Sequence, residues 1–280
     1  MLPASLTVSI VTYRPDIALL ERCLGKLVSA IEAARAANAA GNVAVALIEN
    51  SEDRSVAEQV VKLANERFGD SSVRLTILQG HTNIGYGSAN NLALHGTGAD
   101  YQLVLNPDIE LASDALVNAL RWLDQHPEIG AVAGAVVDAE GAPLYLCRRY
   151  PAVFDLALRG FTPRVIQGLF GRRLARYELR DRIDPTSDAP VLDVPLISGA
   201  CMFVRRNAID ATGGFDPAFF LYFEDYDWSV RLSRVTRTAY LPAMRAVHHG
   251  GGAARKGLRH IGWFAQSAMR FYNKHGWRWF

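Results

Sequence analysis

The sequence predicts an α/β protein with a mostly parallel, mixed sheet and helices on both faces. Short β-branched runs alternate with amphipathic helical periods through the first half of the chain, and alternation at these lengths builds right-handed βαβ units. Composition agrees: 280 residues, 50% apolar and 21% charged, suit a large buried core and exclude disorder, collagen-like repeats and low complexity.

Residues 6–13 (LTVSIVTY) are a β-branched run, and Ile17, Leu20, Leu24, Leu27 and Ile31 follow at three- and four-residue steps, giving a strand and then an amphipathic helix. The same reading predicts strands over 43–48, 73–78, 101–105 and 129–137, with helices over 56–68, 88–94 and 112–123. After residue 141 the rhythm is lost. Residues 148–193 scatter Arg159, Arg164, Arg172, Arg173, Arg176, Arg180 and Arg182 among apolar residues and prolines, which predicts helical or irregular structure, not a separate domain. Regularity returns with a strand over 198–204, a turn at Gly213-Gly214, a helix from Glu224, strand-like runs over 237–241 and 244–247, and a last helix from about Arg255.

The formal net charge of +2 conceals an asymmetry. Up to Asp227 there are 20 Lys/Arg against 28 Asp/Glu, and from Trp228 onward there are ten Lys/Arg and no acidic residue. An acidic body with a basic tail is a statement about partners. No apolar run of about 18 residues is present to cross a bilayer as a helix. The first ten residues lack the basic and apolar regions of a signal peptide, so the chain is expected in the cytoplasm. Cys23, Cys147 and Cys201 are far apart in apolar settings and read as small buried hydrophobes.

Four constellations carry chemistry. Asn106-Pro107-Asp108 ends a strand where open α/β sheets present their ligands, and the proline stiffens the turn; a plain helix-capping turn is the alternative. Asn83-Ile-Gly85-Tyr-Gly87-Ser-Ala-Asn-Asn91 lacks the third glycine of a dinucleotide fingerprint and follows the third strand, yet its glycines can let backbone N–H groups approach an anionic or sugar ligand. In Glu224-Asp225-Tyr226-Asp227, Asp227 has Arg231 four residues on and Glu224 shares its face, while Asp225 has no evident partner. Desolvation by Phe223, Tyr226 and Trp228 would raise the Asp225 pKa toward that of a useful general base; an acidic first turn favouring the helix dipole is the alternative. His248-His249 before a glycine loop suits a divalent metal, or is merely a surface or core pair.

In this order the pieces resemble the family 2 inverting glycosyltransferases of GT-A fold, and within them the bacterial rhamnosyltransferase-like group. The resemblance rests on Val8-Ser-Ile-Val-Thr-Tyr13, Ile48-Glu-Asn-Ser51, the Asn83–Asn91 turn, Leu105-Asn-Pro-Asp108, Ser198-Gly-Ala-Cys-Met-Phe-Val-Arg205, Gly214-Phe-Asp through Glu224-Asp-x-Asp227, and Val247-His-His-Gly-Gly251. It implies a transferase domain over 1–252, with a nucleotide-binding half (1–110), an acceptor-binding half (111–252) and a basic aromatic helical segment over 253–280. It also implies that Thr12, Tyr13, Glu49 and Asn50 hold the nucleoside base, with Glu49 standing where the family more often has Asp. Asn83, Gly85 and Asn91 would line the ribose and diphosphate. Asn106 replaces the first Asp of the family's metal motif, leaving Asp108, completed by His248, on a Mg²⁺ or Mn²⁺ ion. Asp225, with Glu224 beside it, matches the catalytic base.

The implied reaction is transfer of a sugar, with dTDP-rhamnose the favoured donor, to a saccharide or lipid-linked acceptor of bacterial cell-surface polysaccharide. A non-catalytic binding module of the same fold, or a metal-dependent nucleotidyltransferase or phosphohydrolase, are the competing classes. In the tail, Leu258, Ile261, Ala265, Ala268 and Tyr272 form one stripe beside Trp263, Phe264 and Phe271, with Arg259, Gln266, Arg270 and Lys274 on other faces. That pattern serves either an interfacial helix on an anionic membrane surface or a helix packed on its own domain or on a second subunit. No nucleic-acid recognition module is present.

Overall fold

The computed structural model describes residues 3–69, 71–250 and 258–280. The expected helix start near Arg255, the glycines at 251 and 252 and the expected boundary between 252 and 253 lie outside these residues. One sheet runs in the order β3-β2-β1-β4-β9-β6-β10-β5. Its strands are β1 (Ala4–Thr12), β2 (Ala40–Glu49), β3 (Arg74–Leu78), β4 (Tyr101–Leu105), β5 (Ile109–Leu111), β6 (Ile129–Val137), β9 (Cys201–Arg205) and β10 (Arg237–His248). Two-residue strands β7 (Pro143–Leu144) and β8 (Val191–Leu192) pair with β6 and β10.

From β3 to β4 the ladder is parallel, as βαβ units require. β9 then enters antiparallel between β4 and β6, and β5 returns antiparallel to β10. The parallel arrangement therefore holds in the first half and the mixed one in the second. Both β5 and α8 (Arg206–Thr212) are additions to the predicted elements. Residues 237–248 form one strand, with a register break between Leu241 and Arg245.

Alternation along each strand builds two cores. Leu6, Val8 and Ile10 of β1, Leu103 and Leu105 of β4, and Phe203 of β9 meet α1 (Ile17–Ala36), α2 (Arg54–Phe68) and α4 (Ala115–Gln125) on one face. Val104, Met202 and Val204 point the other way, to Leu94 of α3 (Tyr86–Gly96), Ala208 and Ile209 of α8, and Trp228 and Leu232 of α9 (Glu224–Leu232). Asp16 starts α1 by accepting from Ala18 N and Leu19 N at 2.9 and 3.1 Å. The three cysteines are buried and free, and burial pushes Cys147 and Cys201 up to about 12.

Residues 148–193 carry three short helices, α5 (Val153–Phe161), α6 (Arg164–Leu169) and α7 (Gly171–Tyr177). The final helix, α10 (Leu258–His275), lies on the chain's own aromatic cluster, where Phe271 and Tyr272 are buried against Phe219 and Phe223, with Phe264 and Ala268 beside them. Ile261 and Ala265 of the expected stripe remain exposed. The end of α10 is locked by charge: Lys274 reaches Asp216 at 2.6 Å and Asp227 at 2.7 Å, and His275 reaches Asp227 at 2.8 Å. No described helix is long and apolar enough to cross a membrane.

Candidate active site

Where β1 and β2 end side by side, their last residues form a closed polar network. The Thr12 hydroxyl donates to Glu49 Oε2, Glu49 Oε1 accepts from Ser51 N at 2.6 Å, and Asn50 N donates to Thr12 O at 2.8 Å. Thr12, Glu49 and Asn50 are buried, while Tyr13 is half-exposed beside them with Arg14 over its ring. Asn50 Nδ2 donates to Asn83 Oδ1 (3.3 Å) and Gly85 O (3.2 Å), and Asn83 Oδ1 also accepts from Gly85 N at 3.0 Å. Gly85 has φ 86°, and a Cβ there would stand 2.3 Å from Phe220 O. Glycine is thus what lets the start of α3 meet the 220 turn.

The network ties Thr12, Glu49, Asn50, Asn83 and Gly85 into one preorganised wall. Asn91 is set apart: its amide donates to Phe215 O at 2.7 Å and accepts from Phe215 N at 2.9 Å. Both ends of the side chain are committed to packing α3 against the 213–215 turn, away from the wall that the family resemblance assigned it to.

β4 delivers Asn106 and Asp108. Asn106 N donates to Ala200 O at 2.8 Å, fixing the turn to the segment before β9. His248, at the end of β10, puts Nε2 3.2 Å from Asp108 Oδ1, yet no hydrogen bond is aligned between them, and Oδ1 is buried without a hydrogen-bond partner. Two donor atoms of kinds that bind divalent cations thus converge on one point. Gly250 borders it: a Cβ there would fall 1.7 Å from Asp108 Oδ2 and 3.1 Å from His248 Nε2. The residues therefore fit a cation. Among the described residues no three His, Cys, Asp or Glu side chains gather to hold one unaided, so a cation here would need further oxygen ligands from outside these two side chains. His249 turns away to Glu110, at 2.7 Å, which Arg22 also reaches at 2.6 Å.

α9 carries the carboxylates, and the turn that launches it is strained. Tyr222 and Phe223 both adopt left-handed backbone (φ 69° and 64°), held by packing against Phe264 and Phe271. Asp225 is fixed at both oxygens, Oδ2 accepting from Gly199 N at 3.0 Å and Oδ1 from Tyr226 N at 2.9 Å. Burial raises its pKa above the ordinary aspartate value despite these bonds. Glu224 is pushed well up, first by burial and then by the charge of Asp225, and its Oε2 is buried without a partner. Burial therefore favours the neutral form of Glu224 more than that of Asp225.

Asp227 plays no part in this opening: with no solvent exposure it takes Arg231 at 2.8 Å together with Lys274 and His275. Trp228 also departs from the expectation that it flanks Asp225. Its ring packs on Phe215 at 4.4 Å, and its Nε1 donates to Thr212.

Tyr86 joins the two sides, and the sequence reading did not single it out. Its buried hydroxyl lies 2.9 Å from Asn106 Oδ1 and 2.7 Å from Gly199 O, and Gly199 N is the donor to Asp225. The signal was its place between Gly85 and Gly87, which bring the start of α3 against Phe215 and Phe220. Beyond Asp225 a cavity of about 600 Å³ opens, lined by Arg148, Leu156, Arg159, Tyr177, Ser198 and Tyr222 among others.

A mixed α/β sheet with helices on both faces is the architecture of the GT-A glycosyltransferases, and here its strand ends face a half-buried carboxylate and a convergent Asp–His pair. Crystallised GalNAc-T7 with UDP, GalNAc and Mn2+ superposes with a TM-score of 0.64 at 12% identity, over 97% of this chain and 48% of that one, so this chain spans about half its length. The family model for "Glycosyltransferase like family 2" matches residues 3–279. The N-acetylglucosaminyl-diphospho-decaprenol L-rhamnosyltransferase of Mycobacterium tuberculosis is 31% identical over 261 residues, 87% of this chain and 76% of that one. Rhamnosyltransferase WbbL of Escherichia coli K12 is 26% identical over 197 residues, 67% of this chain and 69% of that one. The chain belongs to glycosyltransferase family 2, and as such it is an enzyme.

Proposed function

We propose that the chain is an inverting rhamnosyltransferase, moving L-rhamnose from dTDP-rhamnose to a saccharide or lipid-linked acceptor in cell-surface polysaccharide synthesis. The two relatives, both rhamnosyltransferases, support the sugar. The observation that carries the mechanism is Asp225: a half-buried carboxylate, pinned by two backbone N–H groups and lining an open cavity.

The wall of Thr12, Glu49, Asn50 and Asn83 receives the base and ribose, with Tyr13 as the exposed ring available for stacking. Asp108 and His248 would hold a Mg²⁺ or Mn²⁺ ion, which when bound offsets the charge developing on the diphosphate leaving group. Asp225 accepts the proton of the acceptor hydroxyl as that oxygen attacks the anomeric carbon from the face opposite the diphosphate. Its raised pKa improves it as a base, and burial holds Glu224 beside it toward the neutral form. A single displacement inverts the anomeric centre, so a β-L-rhamnosyl donor yields an α-L-rhamnoside. Exposed residues of the tail, among them Arg270, Trp277, Arg278, Trp279 and Phe280, are available to an anionic membrane surface.

The test is a panel of nucleotide sugars incubated with the protein and Mg²⁺ or Mn²⁺. Cation-dependent release of dTDP from dTDP-rhamnose, faster with acceptor, is the expected result. Release of inorganic phosphate or pyrophosphate, or tight binding with no release, sinks the reading.

A further inference from the structure

The wall expected to receive the base is built from side chains whose bonds are already made. Glu49 is buried, with Oε2 held by the Thr12 hydroxyl and Oε1 by Ser51 N. Asn50 is buried and committed as well. Gly85 O can only accept, so the atom of Asn50 facing it at 3.2 Å is the amide nitrogen. Its amide oxygen is therefore the atom that meets His81 Nε2 at 3.0 Å. Whatever tells one base from another has to come from the margin of this wall.

His81 stands at that margin, half-buried, just beyond Leu78 at the end of β3. The end of β2, where Asn50 follows, lies between β3 and β1, and β1 leads into the half-exposed Tyr13. The ends of β1 and β3 are thus two strand spacings apart, about 10 Å. Because Asn50 offers His81 an oxygen, Nε2 must carry the imidazole proton. In the neutral ring Nδ1 is then a bare acceptor, and among the described residues it has no hydrogen-bond partner.

We propose that His81 reads the base of the nucleotide donor: its Nδ1 accepts the N3–H of a thymine or uracil ring that lies over the end of β2, between His81 and Tyr13. Cytosine has a bare N3, which would set two lone pairs against each other, and a polar group left facing the wrong partner is what makes such a site selective. The Asn50–Asn83–Gly85 network acts here by fixing the tautomer of His81 and not by touching the base edge. This rests on the donor reading above and adds the group that recognises the base.

The experiment measures binding of dTDP, dUDP and dCDP with Mg²⁺ by isothermal calorimetry. The pair dUDP and dCDP differ only at N3 and C4 of the base. The wild type should prefer dUDP to dCDP by about tenfold or more. His81→Gln keeps a donor for Asn50 where Nε2 stands but has nothing at Nδ1, so the preference should fall to about one. His81→Asn sets an amide oxygen near the Nδ1 position and should recover most of it. The readout is a ratio of affinities, which a partial loss of folded protein does not move. Equal binding of dUDP and dCDP by the wild type, or a wild-type preference in His81→Gln, overturns the assignment. A His81→Asn protein as indifferent as the glutamine variant overturns it too. Failure of the wild type to bind dTDP at all would instead sink the donor reading on which the proposal rests.

Discussion

Among the described residues two aspartate–histidine pairs have opposite characters. At Asp227 and His275 both side chains are shut off from solvent, the separation is 2.8 Å, and Arg231 and Lys274 complete the carboxylate. At Asp108 and His248 the side chains are 26% and 14% exposed, the separation is 3.2 Å, and no hydrogen bond is aligned. The first pair is satisfied from within and holds α10 on α9. The second keeps an oxygen and a nitrogen in reserve for something that arrives. Identical residue types thus serve as a clasp or as a ligand set according to how many of their bonds the fold has already made.

The residue between these regions gives the largest effect. Asp225→Asn keeps the shape and one of the two backbone contacts, its amide nitrogen being unable to accept the other, and removes the proposed base, so transfer should fall by about 10²- to 10⁴-fold with nucleotide affinity retained, read by product formation and by dTDP titration. Asp227→Ala strikes the closed pair. It takes a buried carboxylate from Arg231 and Lys274 and the hydrogen-bond partner from His275, and should cost about 3 to 5 kcal/mol of stability in denaturant melts, with little change in turnover per folded molecule.

Gly250→Ala strikes the open pair. The new methyl displaces the Asp108 carboxylate, so half-saturation by Mn²⁺ should rise by about ten- to a hundredfold while the melting temperature stays near wild type. A melt that collapses instead would make the open pair a second clasp.

Glu224→Gln should give the smallest change at neutral pH, because burial already favours the neutral form that glutamine mimics. The sign of its pH dependence is fixed by the raised pKa. Glu224 favours folding below its ordinary value of 4.5, and that contribution is lost as pH rises through its higher folded value. The glutamine variant lacks this loss, so its melting temperature should gain on wild type as pH rises. Asp225 sets the acid limb of activity, which should lie above pH 3.8, its ordinary value.

The local layer of this structure was legible. The β-branched runs, the Asn-Pro-Asp turn and the aromatic-flanked carboxylates sit where periodicity and turn chemistry put them, and the Asp227–Arg231 pair was readable because it lies one helical turn apart. What escaped depends on distant partners. β5 is three residues long and exists only because β10 pairs with it. The direction of β9 is set by β4 and β6, and nothing within Cys201–Arg205 encodes it. The tail left two roles open because the choice rested on Asp227 meeting His275 from 48 residues away. Asn91 read as a ligand residue because a short polar side chain near a glycine turn suits either use, and Phe215 decides which.

The clasp at Asp227 also has a temporal meaning. The helix that carries the proposed base acquires Lys274 and His275 only once residues 258–275 have been made. Until then Asp227 has Arg231 alone, and the two strained aromatics ahead of Glu224 lack the Phe264 and Phe271 rings that hold them. A nascent chain that stops short of these residues therefore carries the proposed base on an unbraced turn, which sets only when α10 folds onto it.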